Sequence, residues 1–301
     1  MNSQEFQQWR SFVMSPISIR SFYLEKPKIM GVLNITPDSF SDGGSYLQLD
    51  KACHRAEEMI SEGADIIDIG GESSRPKAIP ISASEELKRV IPVIKRIREK
   101  SDIFISIDTY KPQVMEAAVA AGANMINDIK ALTEKDALAV AAELKVPVCL
   151  MHMQGNSLSM QDNPHYENDV VNEINEFFLE RIESSLQAGI LRQNLILDPG
   201  FGFGKLARHN LTLINRLSEF HKYDLPLLLG VSRKSTIGTI LNKDIDDRLI
   251  GGIAIAVYSA LQGISILRTH DIDKTNQALK VIDAIVGANS TKDRNRSDGS
   301  A

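Results

Sequence analysis

Short runs rich in valine, isoleucine and leucine recur along the chain, each followed by a turn and then by apolar residues three and four apart. The first pattern predicts a strand and the second the buried stripe of an amphipathic helix. Strands are expected at Lys28–Ile35, Ala64–Gly71, Ile103–Thr109, Met125–Ile129, Pro147–Met153, Leu195–Asp198, Pro226–Val231 and Ser265–His270. Between the first two, Ala52, Ala56, Met59 and Ile60 fall on one helical face. The helix after the second strand opens with Ser82–Ala83–Ser84–Glu85, a capping-box pattern, and keeps its period through Leu87, Val90, Ile91, Ile94 and Ile97. Pro92 should kink it. The next helix has Pro112 in its first turn and Gly122 just past its end, which is the usual placement of the two residues.

Strands that are apolar without alternation are buried on both faces, as parallel strands covered by helices must be. Strict strand–helix alternation leaves an open doubly wound sheet or a closed barrel. The open sheet calls for a G-x-G-x-x-G fingerprint after its first strand, and Gly31–Val32–Leu33–Asn34–Ile35–Thr36–Pro37 does not match it. Eight repeats in 301 residues favour a single α/β domain, a (β/α)8 TIM barrel over residues 28–287. Residues 1–27 form an N-terminal extension, and 288–301, polar and charged, read as a disordered tail.

A hydrophobic content of 43% against 24% charged residues provides for a large core. The net charge of −5 argues against binding to a nucleic-acid backbone, although a local basic cluster can still hold a small anion. Two cysteines, Cys53 and Cys149, make neither a disulfide framework nor a metal-ligand spacing. No apolar run is long enough to cross a membrane, and the N-terminus lacks the pattern of a secretory signal. A cytoplasmic protein is expected.

In such a barrel the chemistry sits where the strands end at their C-termini. Those ends are polar: Asn34; Glu72 to Arg75; Asp108; Asn127 and Asp128; His152 and Gln154; Asp198; Ser232, Arg233 and Lys234; Arg268 and His270. A single aspartate at a strand end is more often a cap, and Asp128 is read that way. The convergence of the others is harder to explain without a ligand, because buried carboxylates and amides are costly unless something satisfies them. Basic groups gather on the last two strands, where barrels commonly bind phosphate. Carboxylates and amides face them from strands three, four and six. A planar, donor-rich head with a phosphate tail fits this arrangement, and any metal would be a hard ion such as Mg²⁺ held by oxygen atoms.

Eight segments carry a resemblance: GVLNITPDSFSDGG from Gly31, DIGGESSRP from Asp68, ISIDT from Ile105, INDI from Ile126, CLMHMQG from Cys149, LDPGFGFGK from Leu197, GVSRKS from Gly230 and RTHD from Arg268. In order and spacing they resemble the dihydropteroate synthase family, from Lys28 to Gly287. The resemblance implies a transferase of folate biosynthesis that joins a pterin pyrophosphate to 4-aminobenzoate, requires Mg²⁺, is blocked by sulfonamides and forms a homodimer. It further implies that Asp108, Asn127, Met151, Asp198, Phe203 and Lys234 bind the pterin, and that Asn34, Ser74, Arg268 and His270 bind the pyrophosphate. Phe40, Arg75, Pro76, Ser232 and Lys234 would meet 4-aminobenzoate. Asn34 and Asp42 would reach the metal, and Lys234, Arg268, His270 and Asp42 would serve catalysis. The loops 36–44 and 72–77 would complete the 4-aminobenzoate site only after the anion has bound. Ser74 departs from the family's threonine, keeping the hydroxyl and losing a methyl group. A pterin-binding methyltransferase barrel is the nearest rival; it would share the polar set of strands three, four and six but has no use for the basic RTHD and SRK segments.

Overall fold

The computed structural model describes residues 2, 4–5, 26–36, 45–74, 78–155 and 158–297. Strands and helices alternate: β1 (Lys28–Asn34), α1 (Ser45–Ser61), β2 (Ile66–Gly70), α2 (Ala83–Arg98), β3 (Phe104–Asp108), α3 (Pro112–Ala121), β4 (Met125–Asp128), α4 (Ala137–Leu144) and β5 (Val148–Met151). There follow α5 (Val170–Gln187), β6 (Leu195–Asp198), α6 (Ala207–Asn215), β7 (Leu228–Gly230), α7 (Ser235–Leu241), α8 (Leu249–Leu261), β8 (Ile266–Thr269) and α9 (Ile272–Ser297). Each of the eight expected strands is present.

Every strand pair is parallel, in the order β6-β5-β4-β3-β2-β1-β8-β7. A parallel bridge between Leu197 and Leu227 joins the two ends, and the Leu197 N–H donates to the Pro226 carbonyl at 3.0 Å. The sheet is therefore a (β/α)8 barrel with no free edge. Its outward side chains, among them Ile67, Ile69, Ile105 and Ile107, share one core with Val90, Ile94, Val114 and Ala118 of the surrounding helices.

The helix boundaries follow from local chemistry. Ser82 caps α2, its hydroxyl accepting from the Glu85 N–H at 3.2 Å. Pro92 lies inside α2 on the exposed face, where water can serve the carbonyl it leaves without a partner, and the helix continues to Arg98. Pro112 opens α3, and Gly122 ends it in the left-handed region at φ 118°. The last helix runs past Gly287 to Ser297. Cys53 and Cys149 are buried and free. None of the described helices is long and apolar enough to cross a membrane.

Replacing the α2 cap tests this local account: Ser82→Ala should cost about 1 kcal/mol, read as a lower urea midpoint with an unchanged slope.

Candidate active site

Side chains alternate across a strand, so every second residue of each strand points into the barrel. The lower interior is closed by one apolar side chain from each strand: Met30, Ile66, Phe104, Met125, Cys149, Ile196, Leu228 and Ile266. Two residues further along each strand the next inward layer is Val32, Asp68, Ser106, Asn127, Met151, Asp198, Gly230 and Arg268. The dry plug thus gives way in one step to a buried polar floor at the C-terminal mouth.

Arg268 organises that floor. Its Nε donates to Asp68 Oδ2 at 2.6 Å and its Nη2 to Asp108 Oδ2 at 2.8 Å, while Asn127 Nδ2 donates to the same Asp68 oxygen at 3.1 Å. Burial disfavours the guanidinium, but the two carboxylates outweigh it and raise its pKa. One cation shared by two carboxylates leaves a deficit of positive charge. Burial pushes the Asp108 pKa up to about 7, against the pull of Arg268 and with Asp68 adding to the rise. Asp68 Oδ1 and the neighbouring Ser106 Oγ have no partner among the described residues. Buried atoms in that state call for water or a ligand.

Across the mouth, the Asp198 carboxylate accepts from the Gly200 N–H at 2.8 Å, and burial lifts its pKa to about 6 against that hydrogen bond and against Lys234. Lys234 is depressed to about 8 by burial and then by Arg268, and its ammonium lies 4.0 Å from the centre of the Phe203 ring. Asp108, Asn127, Met151, Asp198, Phe203, Lys234, Arg268 and Ser74 all line one pocket open at the mouth. Its apolar patch is the cluster of Met151, Phe203, Ile129 and Met160. Charge, donors and a greasy wall thus surround a space suited to a flat polar ring.

The rim divides by the same alternation. His270 stands above Arg268; burial, reinforced by Arg268 and Arg233, drops its pKa to about 3, so the imidazole is neutral. Its Nδ1 lies 3.2 Å from Ser232 Oγ. Ser232 in turn donates to Asp271 at 3.2 Å, and Arg233 pairs with the same carboxylate at 2.7 Å. Asn34 ends β1 in register with Gly70. Asp128 points away from the pocket and accepts from the N–H groups of Lys130 and Leu132, so it caps the turn after β4 and not a helix as expected. His152 and Gln154 also leave the site: His152 packs edge-on against Phe177, and Gln154 accepts from the His165 N–H at 3.0 Å. Phe40, Asp42, Arg75 and Pro76 lie outside the described residues, as do the 37–44 and 75–77 portions of their loops.

Asp68 with Ser106, the partners of Glu72, and Lys205 escaped the reading of strand ends. Asp68 and Ser106 sit one step below those ends; the signal was a carboxylate inside the apolar run Ile66–Ile67–Asp68–Ile69. Glu72 accepts from Lys111 Nζ at 2.6 Å, Tyr110 Oη at 2.9 Å and the Ile81 N–H at 2.9 Å. Lys111 also pairs with the buried Glu86, so the start of the β2–α2 loop is tied to both β3 and α2. Lys205, at the end of the glycine-rich turn after β6, is buried. Among the described residues no group of three His, Cys, Asp or Glu side chains could hold a metal ion.

A closed parallel barrel with a polar pocket and basic groups at its mouth has known relatives. The family model for pterin binding enzymes matches residues 30–270. The dihydropteroate synthase of Escherichia coli (strain K12) is 51% identical over 272 residues, covering 90% of this chain and 96% of that protein. The Yersinia pestis dihydropteroate synthase, solved as a sulfonamide drug complex, superposes with a TM-score of 0.83 at 48% identity, covering 88% of this chain and 96% of that one. The Xanthomonas albilineans dihydropteroate synthase in complex with 7,8-dihydropteroate gives 0.79 at 43% identity, covering 87% and 94%. Fold and pocket together define a pterin-binding barrel enzyme. The chain belongs to the dihydropteroate synthase family.

The pocket's electrostatics make a prediction about the ligand-free chain. Asp198 has a folded pKa of about 6 against an unfolded value near 4, so the folded state holds its proton more tightly. Its contribution is then most favourable at acid pH and is lost as pH rises from about 4 through 6. Asp198→Asn, which keeps an oxygen for the Gly200 N–H, should melt above wild type at pH 7.5, with the advantage shrinking toward pH 4. Calorimetric melting curves across that range check it.

Proposed function

We propose that the chain condenses 6-hydroxymethyl-7,8-dihydropterin pyrophosphate with 4-aminobenzoate, giving 7,8-dihydropteroate and pyrophosphate. The observation that carries this reading is the buried set of Asp108, Asn127 and Asp198 that shares one pocket with Lys234 and Arg268. It offers acceptors to the amino and N–H edge of a pterin and donors to its carbonyl. Asp198 takes the 2-amino and ring N–H edge, Asn127 and Asp108 bind further along the ring, and Lys234 serves the carbonyl side. Met151 and Phe203 form the apolar walls.

The reaction is a displacement at the pterin methylene. The aniline nitrogen forms the new C–N bond, the C–O bond to the diphosphate breaks, and the nitrogen then loses a proton. An arylamine is a weak nucleophile, so the larger task is to stabilise the departing charge. In the ligand-free chain Arg268 is held by Asp68 and Asp108. As the ring's donors take over Asp108, Arg268 Nη2 is freed toward the diphosphate, and Asp68 keeps the guanidinium in place. His270 can donate to the diphosphate from Nε2 once Ser232 turns its hydroxyl proton from Asp271 to His270 Nδ1, with Ser74 beside the same anion. The Asn34 amide oxygen is a hard donor of the kind Mg²⁺ takes, and a Mg²⁺ ion there would neutralise diphosphate charge; the position of Asp42, its expected partner, is not described. Lys234 and Ser232 face the second substrate, together with the loop residues Phe40, Arg75 and Pro76. Sulfonamides would bind where 4-aminobenzoate does.

The chain would act as a cytoplasmic homodimer. Its two reduced cysteines suit that compartment. Exposed Ile240, Leu241, Ile250 and Tyr258 on α7 and α8 supply an apolar surface for a second copy.

Pyrophosphate release on mixing the chain with both substrates and Mg²⁺ should follow 4-aminobenzoate consumption one to one; consumption without it would favour another pterin-binding barrel chemistry. Arg268→Ala should lower turnover about 100-fold or more. It should also destabilise the chain by about 3–5 kcal/mol, because two buried carboxylates lose their cation, so rates must be measured well below the variant's melting temperature. Asp198→Asn should weaken pterin binding by about 2–5 kcal/mol in calorimetry. Wild-type affinity in that variant would refute the proposed ring orientation.

A further inference from the structure

The turn after β6, from Pro199 to Lys205, contains three glycines, Gly200, Gly202 and Gly204, all in the left-handed region at φ of 69°, 83° and 63°. Glycine adopts that conformation without steric cost but gives the chain no stiffness of its own. Yet this turn carries two groups of the pocket. The Gly200 N–H holds Asp198, and the Phe203 ring lies against Lys234. Asn210, Gln161 and Tyr166 fasten the turn at Gly202 and Gly204. The residues that bear on the pocket are joined to each other by the Phe203 N–H donating to the Gly200 carbonyl at 3.0 Å, and to the strand end by another group.

We propose that Lys205 is a positioning residue for the ring pocket: its buried ammonium gathers the carbonyls of Gly200 and Phe203 onto the end of β5 and thereby sets Asp198 and Phe203. Lys205 Nζ lies 3.0 Å from the Gly200 carbonyl oxygen, 3.1 Å from that of Phe203, 3.5 Å from that of His152 and 2.9 Å from His152 Nδ1. The cage is built from backbone and one imidazole, with no carboxylate in contact. Toward the charged ammonium His152 Nδ1 accepts, which makes the ring the neutral Nε2–H tautomer; its lowered pKa, from burial and then from Lys205, agrees. A Cβ at Gly200 would come within 1.8 Å of the His152 carbonyl oxygen, so the turn is pressed directly against the strand end. Burying a charge is costly, and burial depresses the Lys205 pKa to about 7 against the pull of Asp198. A lysine in this place is accounted for by what it holds: without its ammonium, carbonyls that converge on one point would repel, and the turn would open at the residues that bear on the pterin.

This inference rests on the reading of the pocket as a pterin site. The test uses the full-length enzyme and compares Lys205→Met with wild type in steady-state kinetics, pterin calorimetry and melting. KM for the pterin pyrophosphate should rise roughly 10- to 100-fold, the scale on which support for a site group matters, while kcat at saturation falls much less. In Lys205→Ala, n-propylammonium, which replaces the deleted atoms, should restore pterin affinity, and n-propanol should not. Should the Met variant fail to accumulate as folded protein, Lys205→Gln keeps two N–H donors at shorter reach and should show an intermediate KM. A folded variant that binds pterin as tightly as wild type would overturn the proposal, as would a melting temperature that falls while KM stays constant. Failure of the wild-type chain itself to bind a pterin would instead overturn the functional reading.

Discussion

Everything in the site depends on the two-residue period of a parallel strand inside a closed barrel. Eight strands wound this way stack their inward side chains in layers, and a polar residue in one layer has no route to water except through the mouth. Here the plug ending at Cys149 and Ile196 is dry, and the layer above it holds Asp68, Asn127, Asp198 and Arg268. With Asp108 from the layer above, the floor carries three carboxylates against Arg268 and a Lys234 whose pKa burial depresses to about 8. The raised pKa values of Asp108 and Asp198 show the strain of that arrangement. A pterin, which brings several N–H donors to one edge and an acceptor to another, relieves it. The pocket's discomfort when empty is therefore also its selectivity.

The same arithmetic places Arg268 at the hinge of the account. Both of its carboxylate partners are buried, so the guanidinium cannot swing freely toward an anion at the rim. Release of one partner has to come from the ring site. Ring binding and diphosphate binding are then coupled by charge balance, without any need for a large backbone movement. Glu72 and Lys111 extend this coupling outward, since they tie the β2–α2 loop to the strand that carries Asp108.

Much of this was legible in the sequence. Strands buried on both faces announce themselves as unbroken apolar runs, so all eight were found, and the absence of a nucleotide fingerprint chose the closed barrel. Asp108, Asn127, Asp198 and Arg268 were visible because they sit at or near strand ends. Asp68 and Ser106 were not, because strand ends were taken as the boundary of the site when the inward phase extends one step deeper. The reverse error applies to His152: it follows the inward Met151 directly, and the period turns it out toward Phe177 and Lys205. Lys205 itself ended a glycine-rich stretch that looked like loop, and only the three-dimensional turn shows its carbonyls converging.

The central claim is that the buried carboxylates hold protons which the pterin ring displaces. Proton exchange on binding measures this directly: calorimetry of a pterin lacking the diphosphate, at pH 6 in buffers of different ionisation enthalpy. Binding should release protons, because Asp198 and Asp108 must ionise to accept from the ring, and the release should fall toward zero by pH 8. Binding at pH 6 with no net proton release would contradict the account.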